Sequence, residues 1–114
     1  FGRPIGSNQA IQFPLAEAKA ELDVARLMAQ KAAWLFDQGR ECVYEANVAA
    51  FTAARAAFKA ADRAVQTFGG MGFAEEYDVE RFFRDIRLFK TAPVPEEMVL
   101  NYIGTRVLNM PRTF

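Results

Sequence analysis

The sequence contains no histidine and a single cysteine, Cys42, among its 114 residues. The absence of histidine removes the most common general base and a common metal ligand. One thiol cannot form an internal disulfide, and its neighbours Val43, Ala46 and Ala50 are typical of the surroundings of a structural cysteine. We therefore expect a protein of a reducing compartment such as the cytoplasm, with neither a metal cluster nor a cysteine nucleophile.

The chain also lacks a net charge and a long apolar run. Fourteen basic and fourteen acidic side chains cancel, so there is no electrostatic argument for binding to nucleic acid or an anionic membrane. No stretch is long enough to span a bilayer, and the start does not resemble a signal peptide. Hydrophobic residues make up 52% of the chain, which is sufficient for one folded domain.

Hydrophobic spacing predicts helices throughout and no strand. The predicted helices cover about 9–37 and 41–68, a third segment from Tyr77 or Asp78 to about Lys90, and a fourth from Pro95 that ends before Pro111. Gly39 is placed to end the first helix, and Pro95 to begin the fourth. The short connections predict an all-α, up-down antiparallel helical bundle.

Each long helix carries an apolar stripe that we expect to face the core. The stripe of the first helix contains Ile11, Leu15, Ala18, Leu22, Ala25, Met28, Ala32 and Leu35. In the second helix, alanines dominate a near-heptad stripe, which allows close approach of helix axes. That stripe contains Val43, Ala46, Ala50, Ala53, Ala57, Ala60, Ala64 and Phe68.

Three glycines follow the second helix within four positions, Gly69, Gly70 and Gly72. The simplest interpretation is a helix stop followed by a tight turn. Glycines also leave room for the close approach of a ligand to the backbone. The spacing alone leaves both interpretations open.

Three motifs in order resemble the C-terminal helical domain of acyl-CoA dehydrogenases. The first is Phe-Gly-Arg-Pro-Ile-Gly at 1–6 with Gln9, and the second is Ala-Val-Gln-Thr-Phe-Gly-Gly-Met-Gly-Phe at 64–73. The third is Tyr-Asp-Val-Glu-Arg at 77–81, followed by Arg84 and Asp85. The motifs cover nearly the whole chain. The resemblance, together with a start at Phe1 rather than methionine, predicts that residues 1–114 are one domain of a longer protein.

The resemblance implies an FAD-dependent enzyme that removes hydrogen across the α,β bond of an acyl-CoA thioester. It also implies an electron-transfer flavoprotein as partner and a homo-oligomer, tetramer or dimer, that shares FAD across subunits. The alternatives are a non-catalytic subunit or helical interaction module of a heteromeric dehydrogenase, and a bare helical bundle. A bundle without its preceding helix is expected to expose an apolar groove and to self-associate.

The resemblance also assigns cofactor-binding residues. Phe1 and Gln9 correspond to contacts with the flavin nucleotide. The contacts with the adenine end and the pyrophosphate of FAD are assigned to Gln66, Thr67, Phe68, Gly69 and Gly70. Backbone amides of glycines suit phosphate oxygens, and the side-chain amide of a glutamine suits adenine. Without the resemblance, we would interpret Gln9 as an ordinary polar residue at a helix start and Phe1 as a core residue.

The catalytic base of the family has no counterpart where many members carry it. Counting from Arg84 and Asp85, the position of that glutamate falls at Pro93, which cannot accept a proton. We therefore predict no catalytic residue in this chain. A glutamate on an earlier helix is the preferred explanation, a non-catalytic subunit is the second, and Glu96 or Glu97 swinging into the site is the third. The ordinary role of these two glutamates is to stabilise a helix N-terminus.

Overall fold

The computed structural model describes residues 2–112, which contain four α-helices and no strand. The helices are α1 (Gln9–Asp37), α2 (Val43–Phe68), α3 (Val79–Leu88) and α4 (Glu96–Tyr102). Short 3₁₀ turns occupy Ile5–Ser7 and Gly69–Phe73, and a π-helical turn at Ile103–Val107 continues α4. The predicted all-α bundle is confirmed, and α1 begins and ends at the predicted residues.

Helices α1 and α2 form an antiparallel hairpin. Gly39 has φ +65° and closes α1, because its N–H donates to the Phe36 carbonyl at 2.9 Å and the Arg40 N–H donates to Leu35 at 3.0 Å. This is the hydrogen-bond pattern of a Schellman motif.

Ion pairs show the direction and the register of the hairpin. Lys59 reaches Glu17 at 2.9 Å and Glu21 at 2.8 Å, while Lys31 reaches Glu45 at 2.9 Å. The contacts therefore pair early residues of one helix with late residues of the other.

The core between these helices consists largely of alanine. The buried residues of α1 are Ala18, Ala25, Ala32 and Leu35. Those of α2 are Ala49, Ala54, Ala56 and Ala61. Small side chains at the contact bring the two backbones close together.

The predicted buried stripe of α2 is wrong, because none of its eight residues is among the buried residues of the helix. Ala46 and Ala50 are exposed, and Phe68 is 44% exposed. Alanines 50, 53 and 57 instead line a pocket that faces the α3–α4 connection. Alanine covers most of the circumference of α2, so hydrophobic spacing does not select the face that meets α1.

Helices α3 and α4 pack against α2. The rings of Phe58 and Phe83 lie 5.3 Å apart, which joins α2 to α3. Arg55 Nε contacts Glu96 Oε2 at 3.0 Å, which joins α2 to the start of α4. The aromatic pair and the charged pair thus connect α2 to both of the shorter helices.

A second face of α1 remains uncovered. Val24, Leu27 and Trp34 are 63%, 65% and 55% exposed. Their spacing places them on one side of the helix, away from the alanines that contact α2. This is the apolar surface on which the expected self-association depends, and that expectation stays a prediction.

Within residues 2–112, no helix is long and apolar enough to cross a membrane.

Candidate functional site

The turn that follows α2 begins with a glycine in a conformation that other residues rarely adopt. Gly69 has φ +59° and ψ −137°, and its N–H donates to the carbonyl of Gln66. A Cβ at this position would strain the backbone. The Gly69 amide is therefore already used in ending the helix.

Gly72 is glycine for a different reason. A Cβ built on it would lie 2.7 Å from the carbonyl oxygen of Val65 and 3.1 Å from the Val65 Cα. Gly72 is also buried. Its missing side chain allows the 3₁₀ turn to lie directly against the backbone of α2.

Neither reason applies to Gly70. Beyond its chain neighbours and the backbone of its own turn, no atom of the described chain lies within 4 Å of a Cβ built there, the residue is exposed, and its φ is not positive. The domain itself would accept a side chain at this position. The turn therefore presents an open stretch of backbone that a ligand can approach closely.

The three predicted cofactor-binding side chains before the turn differ in whether they are free to contact a ligand. Gln66 is exposed and lines a groove beside the turn. The hydroxyl of Thr67 donates to the Arg63 carbonyl at 2.7 Å, so its hydrogen is used within the helix. The Phe68 ring packs edge-on against Tyr77 with centroids 5.4 Å apart.

The groove beside the turn has a volume of about 420 Å³, which suits part of a small molecule. Arg84 Nε donates to Glu80 Oε2 at 2.8 Å, and this bond holds the pKa of Glu80 below its ordinary value. The groove therefore offers mixed charge and the Gln66 amide rather than a positive surface. The lining residues are Asp62, Val65, Gln66, Gly72, Phe73, Glu80, Phe83 and Arg84.

Gln9 is the first residue of α1 and is exposed. Because α1 and α2 are antiparallel, the start of α1 and the end of α2 lie at the same end of the hairpin. Gln9 and the glycine turn thus belong to one end of the molecule. Phe1 lies outside the residues that the structure describes.

Pro93, at the position of the family's base, lies in the connection between α3 and α4. It lines an apolar pocket of about 310 Å³ together with Ala50, Ala53 and Ala57 of α2. The pocket is lined mainly by apolar side chains, Pro93 itself is exposed, and proline supplies no proton acceptor.

Glu96 lines the same pocket but is engaged with two cations. Arg55 Nε lies 3.0 Å and Lys90 Nζ 3.5 Å from its carboxylate oxygens, and the side chain is 14% exposed. The hydrogen bond from Arg55, assisted by Lys90, holds the pKa of Glu96 below its ordinary value. A carboxylate held in this way is a weak base. Glu97 is exposed.

Sequence reasoning did not identify the cluster of Arg55, Lys90 and Glu96. Arg55 and Glu96 are separated by 41 residues and lie on different helices. The only signal was a proline-glutamate pair that indicated a helix start. Helix periodicity carries no information on contacts at this separation.

Comparison with known proteins assigns the domain. Residues 1–108 match the family model described as acyl-CoA dehydrogenase, C-terminal domain. Acyl-CoA dehydrogenase FadE12 of Mycobacterium tuberculosis is 42% identical over 116 aligned residues, which cover 100% of this chain and 30% of the relative.

Solved structures agree with this match. A chain of butyryl-CoA dehydrogenase from Megasphaera elsdenii superposes with a TM-score of 0.89 at 34% identity, covering 95% of this chain and 28% of its own length. A chain in the structure described as the electron-transferring flavoprotein of Acidaminococcus fermentans gives a TM-score of 0.90 at 29% identity, with coverages of 95% and 28%.

The chain spans about 30% of the length of the curated relatives that it matches. Its match to the family model over residues 1–108 is to one domain of these proteins. The chain therefore belongs to the acyl-CoA dehydrogenase family and corresponds to the C-terminal helical domain of these enzymes.

Proposed function

We propose that this chain is the C-terminal, FAD-contacting domain of a longer acyl-CoA dehydrogenase. The reaction removes a proton from the α-carbon and a hydride from the β-carbon of a saturated acyl-CoA thioester, forming a double bond. Support comes from the family match and from relatives named as dehydrogenases of acyl-CoA. The single observation that carries the cofactor assignment is Gly70, which the chain leaves open on its outer side.

The residues at the turn fit an FAD nucleotide. Gln66 offers an exposed amide to the adenine end, and the backbone at Gly70 can approach a phosphate oxygen without a side chain in the way. Phe68 and Gln9 would add contacts at the same end of the hairpin, and Phe1 would do so by resemblance. The chemistry that FAD supplies when bound is acceptance of the hydride equivalent.

Gly69 and Thr67 play supporting roles in this proposal. The Gly69 amide and the Thr67 hydroxyl donate to carbonyls of α2, so each stabilises the helix end. Their contribution to cofactor binding is to position the open backbone at Gly70. Any contact of the cofactor with these two residues would involve atoms other than the Gly69 N–H and the Thr67 hydroxyl hydrogen.

The base that removes the α-proton is proposed to lie outside this chain. Pro93 has no acceptor, and Glu96 is held as an anion by Arg55 and Lys90. These contacts favour a glutamate on a preceding helix over one that swings in from α4. The second candidate function is a non-catalytic subunit of a heteromeric dehydrogenase, which the same contacts and Pro93 also favour.

The proposed assembly is a homo-oligomer, tetramer or dimer, in which FAD lies across a subunit boundary. The uncovered apolar side of α1, with Leu27 and Trp34, supports burial by further protein. An electron-transfer flavoprotein is the proposed electron acceptor. The similarity to a chain in a structure described by that name supports this partner.

The test uses the full-length protein that contains this domain. We expect it to be isolated with FAD and to reduce an artificial electron-accepting dye when a saturated acyl-CoA is added. The corresponding free fatty acid is the matched control and should give no reduction, because its α-protons lack thioester activation. A protein that binds no flavin would refute the proposal, and flavin-bound protein active only after mixing with a homologous subunit would favour the second function.

A further inference from the structure

The chain reverses direction after α4 through an unusual backbone path. Residues Ile103–Val107 form a π-helical turn, in which the Leu108 N–H donates to the Ile103 carbonyl at 3.0 Å. Asn109 has φ +54°, and the Met110 N–H donates to Gly104 at 2.9 Å. A positive φ is uncommon outside glycine, and π turns are frequent at functional sites.

This reversal brings two arginines to one groove. The groove has a volume of about 360 Å³ and shares no lining residue with the groove beside the glycine turn. Arg106 comes from the π turn, and Arg112 comes from the segment after the reversal. The lining residues are Met98, Asn101, Tyr102, Thr105, Arg106 and Arg112.

No carboxylate of residues 2–112 lies within 4.0 Å of either guanidinium, and no acidic side chain lines the groove. Arg55, Arg81 and Arg84 each have a carboxylate partner, whereas Arg26, Arg40, Arg63 and Arg87 share with Arg106 and Arg112 the lack of one within residues 2–112. What distinguishes Arg106 and Arg112 is that they line one groove. Two like charges at one groove repel each other, and a bound anion would remove this repulsion.

The neutral side chains add hydrogen-bond donors and an apolar wall. Asn101 and Tyr102, which carry a side-chain amide and a hydroxyl, are among the lining residues. The Thr105 hydroxyl donates to the Asn101 carbonyl at 2.8 Å, so its hydrogen is already used within the helix. Met98, which is 62% exposed, and the Tyr102 ring offer surface to an organic group.

We propose that this groove binds a phosphate monoester whose organic part lies on Met98 and Tyr102. A phosphate monoester carries nearly two negative charges at neutral pH, which match the two arginines. Its three terminal oxygens accept more hydrogen bonds than a carboxylate, and arginine binds such oxygens in pairs. The site is separate from the proposed FAD contacts and does not depend on them.

Calorimetric titration of the full-length protein, with FAD in excess, tests this site. The probes are inorganic phosphate and phenyl phosphate, and we expect saturable binding with phenyl phosphate the tighter ligand. Arg106→Gln and Arg112→Gln should each weaken phenyl phosphate binding about tenfold, since each removes a charge-assisted contact. Arg26→Gln, which removes an exposed arginine from α1, is the matched control and should bind like the parent.

Circular dichroism and flavin content verify that the variants remain folded. The double variant Arg106→Lys, Arg112→Lys keeps the charge and loses the paired donors, so its affinity should fall between those of the parent and the double glutamine variant. Two outcomes would overturn the site: glutamine variants that bind phenyl phosphate like Arg26→Gln, or malonate binding as tightly as phosphate. A protein without FAD that still binds phenyl phosphate through these arginines would support the site and refute only the proposed function.

Discussion

Replacing Gly72 with alanine is expected to lower the free energy of unfolding by about 3 kcal/mol, the upper end of the cost of overpacking. The new Cβ would lie 2.7 Å from the Val65 carbonyl oxygen, and backbone atoms of a helix cannot move aside as a flexible side chain can. Either the 3₁₀ turn separates from α2, or α2 distorts at Val65. Urea and thermal denaturation measure the loss.

The matched control is Gly70→Ala, which makes the same chemical change two residues earlier. A Cβ there meets nothing within 4 Å, so the change in stability should stay within about 0.5 kcal/mol. The entropic effect of replacing glycine on the unfolded chain is common to both variants. Equal stability of the two variants would show that the turn does not lie against Val65.

Replacing Gly70 with phenylalanine is expected to weaken FAD binding by about 100-fold or more, which corresponds to about 2.7 kcal/mol. The ring would occupy the space from which a ligand approaches the turn, and the domain offers no internal site for it. The stability of the fold should change little. Flavin fluorescence titration of the full-length protein gives the affinity.

Gln38→Phe is the control for adding an exposed aromatic ring. Gln38 is exposed and lies at the opposite end of the hairpin, where α1 passes to α2. This variant should bind FAD like the parent, and Gly70→Ala should fall between the parent and Gly70→Phe. Full flavin occupancy in Gly70→Phe would exclude the turn as the cofactor contact.

Local signals in the sequence were sufficient to predict the four helices and the end of α1. The end of α1 follows from Gly39, because a residue with positive φ after an apolar stripe ends a helix by local hydrogen bonds. Helix α2 begins at Val43, two residues later than predicted. Such boundaries shift because the first turn of a helix gains little from its own hydrogen bonds.

Packing and special backbone conformations could not be predicted in the same way. Alanines occur on most sides of α2, so the sequence does not distinguish them. Only the tertiary structure decides that Ala49 and Ala56 are buried while Ala50 lines a pocket together with Pro93. The different roles of Gly70 and Gly72 depend on the approach of the turn to Val65.

For the candidate site, the sequence supplied the residues through a family resemblance rather than through physical derivation. Spacing alone predicted a turn and left its use open. The structure adds which glycine is open and which donors are already used. The π turn at Ile103–Val107 had no local signal, and the positive φ of Asn109 had only a weak one, since asparagine adopts this conformation more readily than most residues without requiring it.

Hydrogen exchange of backbone amides at the glycine turn is the most direct test of the central claim. The measurement compares full-length protein with and without bound FAD, using the turn at Gly39, at the opposite end of the hairpin, as an internal reference. If the turn holds the cofactor, exchange around Gly70 and Met71 should slow by about tenfold or more with FAD bound, while exchange at Gly39 stays unchanged. Identical exchange rates at Gly70 and Met71 in the two forms, with FAD demonstrably bound, would contradict the assignment of this turn to the cofactor.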